Sequence, residues 1–195
     1  MAAFPLFVEL EQYPCLVVGA GLVASRKIHT LLSYGARVTV TAPRVCDEVK
    51  RLAERNRIIL HRRSFEPDDL TGKGLVFVAT DDEAVSHEVA ALCRQRHIFV
   101  NVADVKPECD FYFPALVRRG DVVVGISTGG KSPALAKELR KEIDRRLPEE
   151  LADFVKEAGA LRSLLLESGR SVEDNPEYRQ MVQEFVNDMA EKRNP

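Results

Sequence analysis

The chain reads Cys15-Leu-Val-Val-Gly-Ala-Gly-Leu-Val-Ala24 near its start, and this apolar run turns directly into Gly-x-Gly-x-x-Ala. Such a run predicts a buried parallel strand, with the glycines placed where the strand must turn sharply into a helix. Gly19 permits the tight turn, Gly21 lets a pyrophosphate approach the backbone, and Ala24 lets the helix pack closely on the strand. Strand and helix flank the motif correctly, so it predicts a dinucleotide-binding loop rather than a plain tight turn.

The composition narrows the class of protein. The chain has 195 residues, enough for one sizeable core and a smaller appendage, and a net charge of −2 gives no sign of a nucleic-acid or membrane-surface partner. No apolar run approaches the roughly 20 residues of a membrane span, and the N-terminus lacks the basic start of a signal peptide. The cysteines and histidines are scattered without metal-ligand spacing, so we expect reduced thiols, a cytoplasmic protein and no metal site.

Strand and helix patterns alternate through the first half of the chain. We expect helices over Leu22–Tyr34, Val45–Arg55 and Asp82 to about Gln95, strands over Arg37–Thr41, Ile58–Leu60, Leu75–Ala79 and Ile98–Val100, and a polar turn region over Pro67–Gly74. Strands separated by helices of about a dozen residues imply βαβ units and a parallel sheet.

The pattern changes after Asp104. Hairpin spacing replaces helical crossovers, and the remainder of the chain is helical. Extended segments are expected over Phe111–Phe113, Leu116–Arg118 and Val122–Ile126 with a turn at Gly120–Asp121, and helices over Ser132 to about Leu147, Leu151–Glu167 and Pro176–Lys192. The fold class is therefore α/β: a parallel-sheet domain at 1–113, a small α+β region at 114–148 and an all-helical domain at 149–195.

Polar residues follow the ends of the predicted strands, where open α/β sheets bind ligands. Thr80 and Asp81 can offer a hydroxyl and a carboxylate to a ribose, although Asp81 or Asp82 can instead cap the next helix. Asp104 follows the last parallel strand, where a carboxylate can accept a proton or orient a substrate; the alternative is an ordinary turn residue.

The residues leave the choice between NAD and NADP open. The NAD fingerprint places an acidic residue about 20 positions after the glycines, where it binds the ribose 2′-hydroxyl. This chain has Thr41-Ala-Pro-Arg44 there and no acid until Asp47. Arg44 is compatible with a 2′-phosphate.

The segment Gly125-Ile-Ser-Thr-Gly-Gly-Lys-Ser132 matches the phosphate loop of nucleoside triphosphatases. Pro133 argues against that interpretation, because proline suits the first turn of a helix. In the favoured interpretation Thr128–Gly130 form a flexible turn and Ser132 is the N-cap, which gives an anion site strengthened by Lys131. A polycarboxylate is a fitting ligand, since three arginines lie nearby in sequence: Arg118, Arg119 and Arg140. The alternative is an ordinary capped helix with solvated cations.

Several short motifs occur together in one known family. They are Phe4-Pro-Leu-Phe7, Val18–Ala24 with Arg26-Lys27, Gly35-Ala36 with Val38-Thr-Val40, Ala79–Asp82, Asn101–Asp104, Phe113-Pro-Ala115 and Ile126–Pro133. In this order the motifs resemble the precorrin-2 dehydrogenases, the NAD-dependent enzymes of sirohaem synthesis, and the N-terminal half of the fused sirohaem synthases. The resemblance covers about residues 4–148.

The resemblance implies a Rossmann domain, a small central dimerisation region and a helical C-terminal domain, assembled as a homodimer. The implied reaction takes hydrogen from precorrin-2 and passes a hydride to NAD, which yields sirohydrochlorin. The family's key acid falls on Asp104, as general base or proton acceptor. Some relatives also insert iron into sirohydrochlorin with the same aspartate, and the residues leave that activity open.

The resemblance also places the ligand contacts. Cofactor contacts fall on Leu22 and Val23 after the glycines and on Pro43 and Arg44 after the second strand; contacts through backbone atoms there would favour NAD despite the missing acid. The substrate's many carboxylates fit the anion loop of Thr128, Gly129, Gly130, Lys131 and Ser132. The alternative to an enzyme is a non-catalytic NAD-binding redox sensor, which would need neither Asp104 nor this loop.

Overall fold

The computed structural model describes residues 3–191, and the chain divides between Phe113 and Pro114 into two units. The first unit holds a five-stranded sheet of order β3-β2-β1-β4-β5, in which every paired strand is parallel. Its strands are β1 Cys15–Val18, β2 Val38–Thr41, β3 Ile59–His61, β4 Leu75–Val78 and β5 Phe99–Val102, and its helices are α1 Leu22–Ser33, α2 Asp47–Glu54 and α3 Glu83–Gln95. The predicted Rossmann-like α/β fold is confirmed.

Helices cover both faces of the sheet, and two of its inner strands, β1 and β4, are apolar throughout. Cys15 and Val17 of β1 pack with α1 and α2 on one face, whereas Leu16 and Val18 pack with α3 on the other. All four residues of β1 are buried, as are all four of β4. This burial on both faces explains why both strands read as unbroken apolar runs.

The last parallel strand ends two residues later than the sequence predicts. Asn101 lies within β5, where its backbone pairs with Phe77, and it is buried. The strand tolerates the polar side chain because its amide is satisfied: Asn101 Nδ2 donates to the Phe111 carbonyl at 2.9 Å, and Oδ1 accepts from Lys27 Nζ at 3.0 Å. Asn101 is therefore a strand residue, and the loop to Asp104 begins after Val102.

Aromatic packing, and not strand pairing, fixes the segment after that loop. The rings of Phe111 and Phe113 meet Phe77 edge-on, with centroids 5.4 and 5.8 Å apart. The structure assigns no strand to residues 111–113, so the extended segment expected there is held by its side chains.

The second unit begins with an antiparallel hairpin, β6 Ala115–Arg119 and β7 Val122–Ile126. Three helices follow: α4 Pro133–Arg146, α5 Leu151–Glu167 and α6 Pro176–Glu191. Phe154 of α5 stacks on Phe185 of α6, with centroids 3.9 Å apart. The predicted end of the last helix at Lys192 lies outside the described residues, and a boundary near residue 148 stays a prediction. None of the helices within residues 3–191 is long and apolar enough to cross a membrane.

The connection between β3 and β4 contains a buried carboxylate, Asp69, that is hydrogen-bonded to other residues of the same connection. Asp69 is 7% exposed and accepts hydrogen bonds from Arg63 Nη1 and Nη2 at 2.8 and 2.7 Å and from the Glu66 backbone N–H at 3.0 Å. Burial by itself would raise the pKa of this carboxyl, but the hydrogen bonds from Arg63, Glu66 and His61 outweigh it and lower the pKa to about 2. The ionised form therefore stabilises the folded state.

We expect Asp69→Asn to lower the free energy of unfolding near neutral pH by about 2 kcal/mol, because the substitution leaves the Arg63 charge without its partner. The wild-type contribution is present above the ordinary pKa of 3.8 and disappears as the pH falls towards about 2. Urea unfolding at several pH values measures both effects. Asp68→Asn, at an exposed neighbouring position, is the control and should change stability by less than about 0.5 kcal/mol. Equal effects of the two variants would contradict the assignment.

Candidate functional site

The glycine loop lies between the ends of β2 and β4, the two strands that flank β1. Gly19 has φ +108°, and a Cβ built there would lie 2.1 Å from the carbonyl oxygen of Ala79, which follows β4. The Gly19 N–H donates to the Thr41 carbonyl at 2.9 Å, at the end of β2. Only glycine adopts this backbone so close to another chain segment. The loop is thereby fixed at the carboxyl edge of the sheet.

The start of α1 is open to a ligand. Gly21 is the N-cap of α1, and within the described part of the chain no side chain caps the helix and no atom lies within 4 Å of a Cβ built on Gly21. Leu22 and Val23 of the first turn are exposed. Uncapped N–H groups at a helix start bind phosphates, so these residues fit the pyrophosphate of a dinucleotide.

The end of β2 carries no carboxylate for a ribose. Pro43 and Arg44 are exposed there, as the resemblance requires of cofactor contacts. The acids at the start of α2 are engaged elsewhere: Asp47 pairs with Lys50, and Glu48 pairs with His29 and Arg51. Contacts between a nucleotide and this strand end would therefore come from the backbone or from Arg44.

The two adjacent aspartates that follow β4, Asp81 and Asp82, have different environments. Asp82 caps α3, with its Oδ1 accepting from the Val85 N–H at 3.1 Å, and its own N–H donates to Thr80 Oγ1 at 3.3 Å. The cap predicted for Asp81 or Asp82 is thus Asp82. Asp81 is exposed at the strand end, which is compatible with its predicted role beside a ribose.

Asp104 lies in the turn that follows β5. It is exposed, and its φ is +61°, a left-handed backbone that costs a side-chain-bearing residue about 1 kcal/mol. The Val105 N–H reaches the Val102 carbonyl at 3.4 Å across this turn. Asn56 and His97 share the positive φ, but each follows a helix end, where that conformation is common. Asp104 instead adopts it at the ligand-binding edge of the sheet.

A half-buried lysine of α1 contacts the residues around this turn. Lys27 Nζ donates to Asn101 Oδ1 at 3.0 Å and lies 4.6 Å from the centroid of the Phe113 ring. Burial lowers the pKa of Lys27 below its usual range, while Cys109 and Asp104 act in the opposite direction. The resemblance includes Lys27 in the Arg26-Lys27 motif but implies no role for it. The signal was present, since Lys27 falls within the stripe of α1 that buries Ala24, Ile28 and Leu31.

Cys109, which follows the Asp104 loop, is hydrogen-bonded to Val102 at the end of β5. Its sulfur accepts from the Val102 N–H at 3.3 Å and lies 3.1 Å from the Val102 carbonyl and 3.4 Å from the Val105 carbonyl. Burial raises the pKa of this thiol. Cys109 is therefore a neutral hydrogen-bonding group that spans the Asp104 turn.

The glycine-rich loop of the second unit closes on itself. Thr128 Oγ1 accepts from the Ser132 N–H at 3.2 Å and donates to the Ser132 carbonyl at 3.0 Å, while Ser132 Oγ accepts from the Leu135 N–H at 3.2 Å. Gly129 and Gly130 have φ of +61° and +76°. Ser132 caps α4 and Pro133 is its first residue, both as predicted. Three of the five backbone N–H groups of the loop are already engaged: Gly129 donates to Ser127 Oγ at 3.2 Å, Lys131 to the Thr128 carbonyl at 3.1 Å, and Ser132 to Thr128 Oγ1. An anion here would therefore meet the exposed Lys131 ammonium and the Ser132 hydroxyl, whose oxygen accepts from Leu135 but whose proton can still be donated.

The arginines expected near this loop are bound elsewhere. Arg119 donates to Asp144 and to the Leu147 carbonyl at the opposite end of α4, and Arg140 also donates to Asp144. Arg118 donates from Nε to the Gly120 carbonyl at 2.8 Å. Nearness in sequence did not place these charges at the loop, since α4 spans about 20 Å. Arg118, Arg119 and Arg140 are therefore not assigned to the anion site.

The hairpin also argues against the triphosphatase interpretation. A phosphate loop follows a strand of a parallel sheet, with its serine inside the helix. Here the loop follows β7, which pairs with β6 in an antiparallel hairpin, and Ser132 precedes the helix as its N-cap. The match to the phosphate-loop pattern is therefore accidental.

The sheet, the glycine loop and the open start of α1 define a dinucleotide-binding protein. Residues 6–115 match the family described as "Putative NAD(P)-binding", and the chain belongs to that family. Residues 119–146 match the family described as "Sirohaem biosynthesis protein central".

More particular relatives extend the match over most of the chain. It is 42% identical over 152 residues to a siroheme synthase of Pseudoalteromonas atlantica, covering 78% of this chain and 33% of the relative. A siroheme synthase of Methylococcus capsulatus is 43% identical over 162 residues, covering 83% and 34%. The chain thus spans about a third of the length of these curated relatives. The solved structure of SirC, a precorrin-2 dehydrogenase, matches with a TM-score of 0.72 at 25% identity, covering 97% of this chain and all of that one. The resemblance inferred from the motifs is confirmed.

Proposed function

We propose that this protein is an NAD-dependent dehydrogenase that converts precorrin-2 to sirohydrochlorin in sirohaem synthesis. The observation that carries the proposal is the carboxyl edge of the sheet, where an uncapped helix start at Gly21 and an exposed carboxylate at Asp104 follow strands of one parallel sheet. A nucleotide site alone would suit many proteins. Sequence and structural relatives that carry sirohaem synthesis and precorrin-2 in their names narrow the reaction.

The residues of the edge suit a bound dinucleotide. Gly19, Gly21, Leu22 and Val23 would hold the pyrophosphate through backbone N–H groups, with Pro43, Arg44, Thr80 and Asp81 bordering the rest of the cofactor. When bound, NAD supplies the acceptor for a hydride. The resemblance favours NAD over NADP, with backbone contacts taking the place of the missing acidic residue.

Asp104 would take the proton that accompanies the hydride loss. Precorrin-2 gives up two hydrogens in the reaction, one as a hydride and one as a proton, and the second needs a base. An exposed carboxylate on a turn at the ligand-binding edge can accept it. For the substrate itself, the loop of Thr128, Gly129, Gly130, Lys131 and Ser132 is a suitable partner, since its exposed Lys131 ammonium and its Ser132 hydroxyl can bind a carboxylate.

The chain is proposed to act as a homodimer in the cytoplasm. Among the described residues β6 and β7 pair only with each other, so the outer edges of this hairpin can pair with strands of a second copy of the chain. Light scattering that gives the mass of one chain would contradict the dimer. All four cysteines are free thiols, which supports a reducing compartment.

The proposal is tested by anaerobic incubation with precorrin-2 and NAD, NADP, ATP or no nucleotide, following the absorbance of sirohydrochlorin. We expect conversion that depends on NAD. Conversion that is equally fast without nucleotide would refute the dehydrogenase. NAD binding without conversion would favour the redox sensor, and the role proposed for Asp104 would then fail.

A further inference from the structure

We propose that Lys27 is a positioning residue for Asp104, holding the loop of residues 103–108 in place through its contacts with Asn101 and Phe113. The proposal rests on the function proposed above. It gives a role to a residue of α1 that the resemblance includes in a motif but assigns no function.

The contacts of Lys27 connect the segments on either side of the Asp104 loop. Its ammonium binds the side chain of Asn101 in β5, and Asn101 in turn donates to the Phe111 carbonyl beyond the loop. The same ammonium lies over the Phe113 ring. Both ends of the loop are thus connected to α1 through one charged group, while Cys109 closes the loop from within.

This arrangement matters because the Asp104 backbone is strained. A left-handed conformation persists in an aspartate only when its surroundings hold it. The turn's own hydrogen bond, from Val105 to Val102, is long at 3.4 Å. The surrounding contacts therefore hold it: those of Asn101, Cys109 and Lys27, together with the Ala103 N–H, which donates to the Val78 carbonyl at 2.9 Å, and Asp110, which bonds the backbone of Val100.

The charge of Lys27 acts on the same loop. The titratable groups that act on its ammonium are Asp104 and Cys109, and both favour its protonated form. The Cys109 thiol is neutral near neutral pH, since burial raises its pKa. Asp104 is then the charged group that favours the protonated form of Lys27. Burial makes the Lys27 proton easier to lose, so the pairing should weaken at a pH below the usual range of a lysine.

Lys73 provides a matched control. It is also half-buried, also has a pKa lowered by burial, and donates to a side-chain oxygen, Thr39 Oγ1, at 2.8 Å. Thr39 lies in β2, and Lys73 precedes β4, so this lysine sits near the amino edge of the sheet, away from the candidate site. Lys73→Met removes a comparable lysine without touching the Asp104 loop.

The experiment compares Lys27→Met, Lys27→Arg and Lys73→Met in the full chain. We expect Lys27→Met to lower kcat by about 10- to 100-fold with little change in NAD affinity, as loss of alignment does. Lys27→Arg should recover part of kcat and should lose the fall in activity on the basic side of the wild-type pH profile, because a guanidinium stays charged there. Lys73→Met should keep the wild-type kcat.

Amide hydrogen exchange gives a readout that does not depend on turnover. Exchange in residues 103–108 should rise in Lys27→Met and stay at the wild-type rate in Lys73→Met. Unchanged exchange in Lys27→Met overturns the proposal, and so does raised exchange with unchanged kcat in an active enzyme. A wild-type protein that leaves precorrin-2 unchanged refutes the proposed function, while exchange in residues 103–108 still decides whether Lys27 positions the loop.

Discussion

Asp104→Asn should lower the turnover of precorrin-2 by about 10² or more while leaving NAD affinity intact, because the amide cannot accept the proton that the carboxylate takes. The substitution is nearly isosteric. It also preserves the backbone, since asparagine adopts the left-handed conformation at least as readily as aspartate. The expected loss is therefore one of chemistry and not of folding. Steady-state kinetics with NAD titrations of the same preparations measures it.

Asp68→Asn is the matched control for this substitution. Asp68 is another exposed aspartate of the first unit, in the turn before β4 and outside the candidate site. It should leave both kcat and NAD affinity at the wild-type level. Turnover by Asp104→Asn at the wild-type rate would contradict the role of Asp104 as proton acceptor, whatever the nucleotide affinity.

Replacing the two glycines of the loop by alanine should have different effects: Gly19→Ala should reduce stability, and Gly21→Ala should reduce NAD affinity. Gly19→Ala should lower the free energy of unfolding by about 3 kcal/mol or more, since it combines a positive φ with a methyl group placed 2.1 Å from the Ala79 carbonyl oxygen. Gly21→Ala should fold normally, because Gly21 has φ −84° and an added Cβ there meets no atom of the described residues within 4 Å. It should weaken NAD by at least about tenfold, or ~1.4 kcal/mol, by filling the approach of the pyrophosphate.

Gly72→Ala distinguishes the effect of the positive φ at Gly19 from the effect of the close contact with Ala79. Gly72 has φ +69°, but no described atom lies within 4 Å of the added Cβ, so its replacement should cost only about 1 kcal/mol. Urea unfolding and NAD titration of the three variants give the comparison. If Gly21→Ala binds NAD as tightly as the wild type, the pyrophosphate does not lie against this residue. If Gly19→Ala is no less stable than Gly72→Ala, the close approach to Ala79 does not contribute to the loss of stability.

Local patterns were sufficient to predict the strand, the glycine turn and the helix start that form the candidate nucleotide site. The apolar run of β1, the glycines and the start of α1 follow one another in sequence, so their geometry is largely determined by neighbours along the chain. The same holds for Ser132 and Pro133 at the start of α4, where capping depends on residues three positions apart.

Features that depend on contacts between distant segments could not be predicted in this way. The sequence pattern ends the last parallel strand at Val100, whereas the structure places the buried Asn101 within it. The amide is tolerated there because it binds Lys27 and Phe111, and Lys27 lies 74 positions away in sequence. Arg119 was expected near the anion loop, but its partner Asp144 lies on the far part of α4. Lys27 belongs to a motif of the resemblance, but its partner Asn101 lies 74 positions away, so the sequence indicates no role for it.

The most direct test is the ratio of NADH to sirohydrochlorin formed by the wild-type chain from precorrin-2 and NAD without oxygen. The account predicts equal amounts of the two products, because each precorrin-2 gives one hydride to the nucleotide. NADH absent from a reaction that still yields sirohydrochlorin, or NAD binding with precorrin-2 left unchanged, would contradict it.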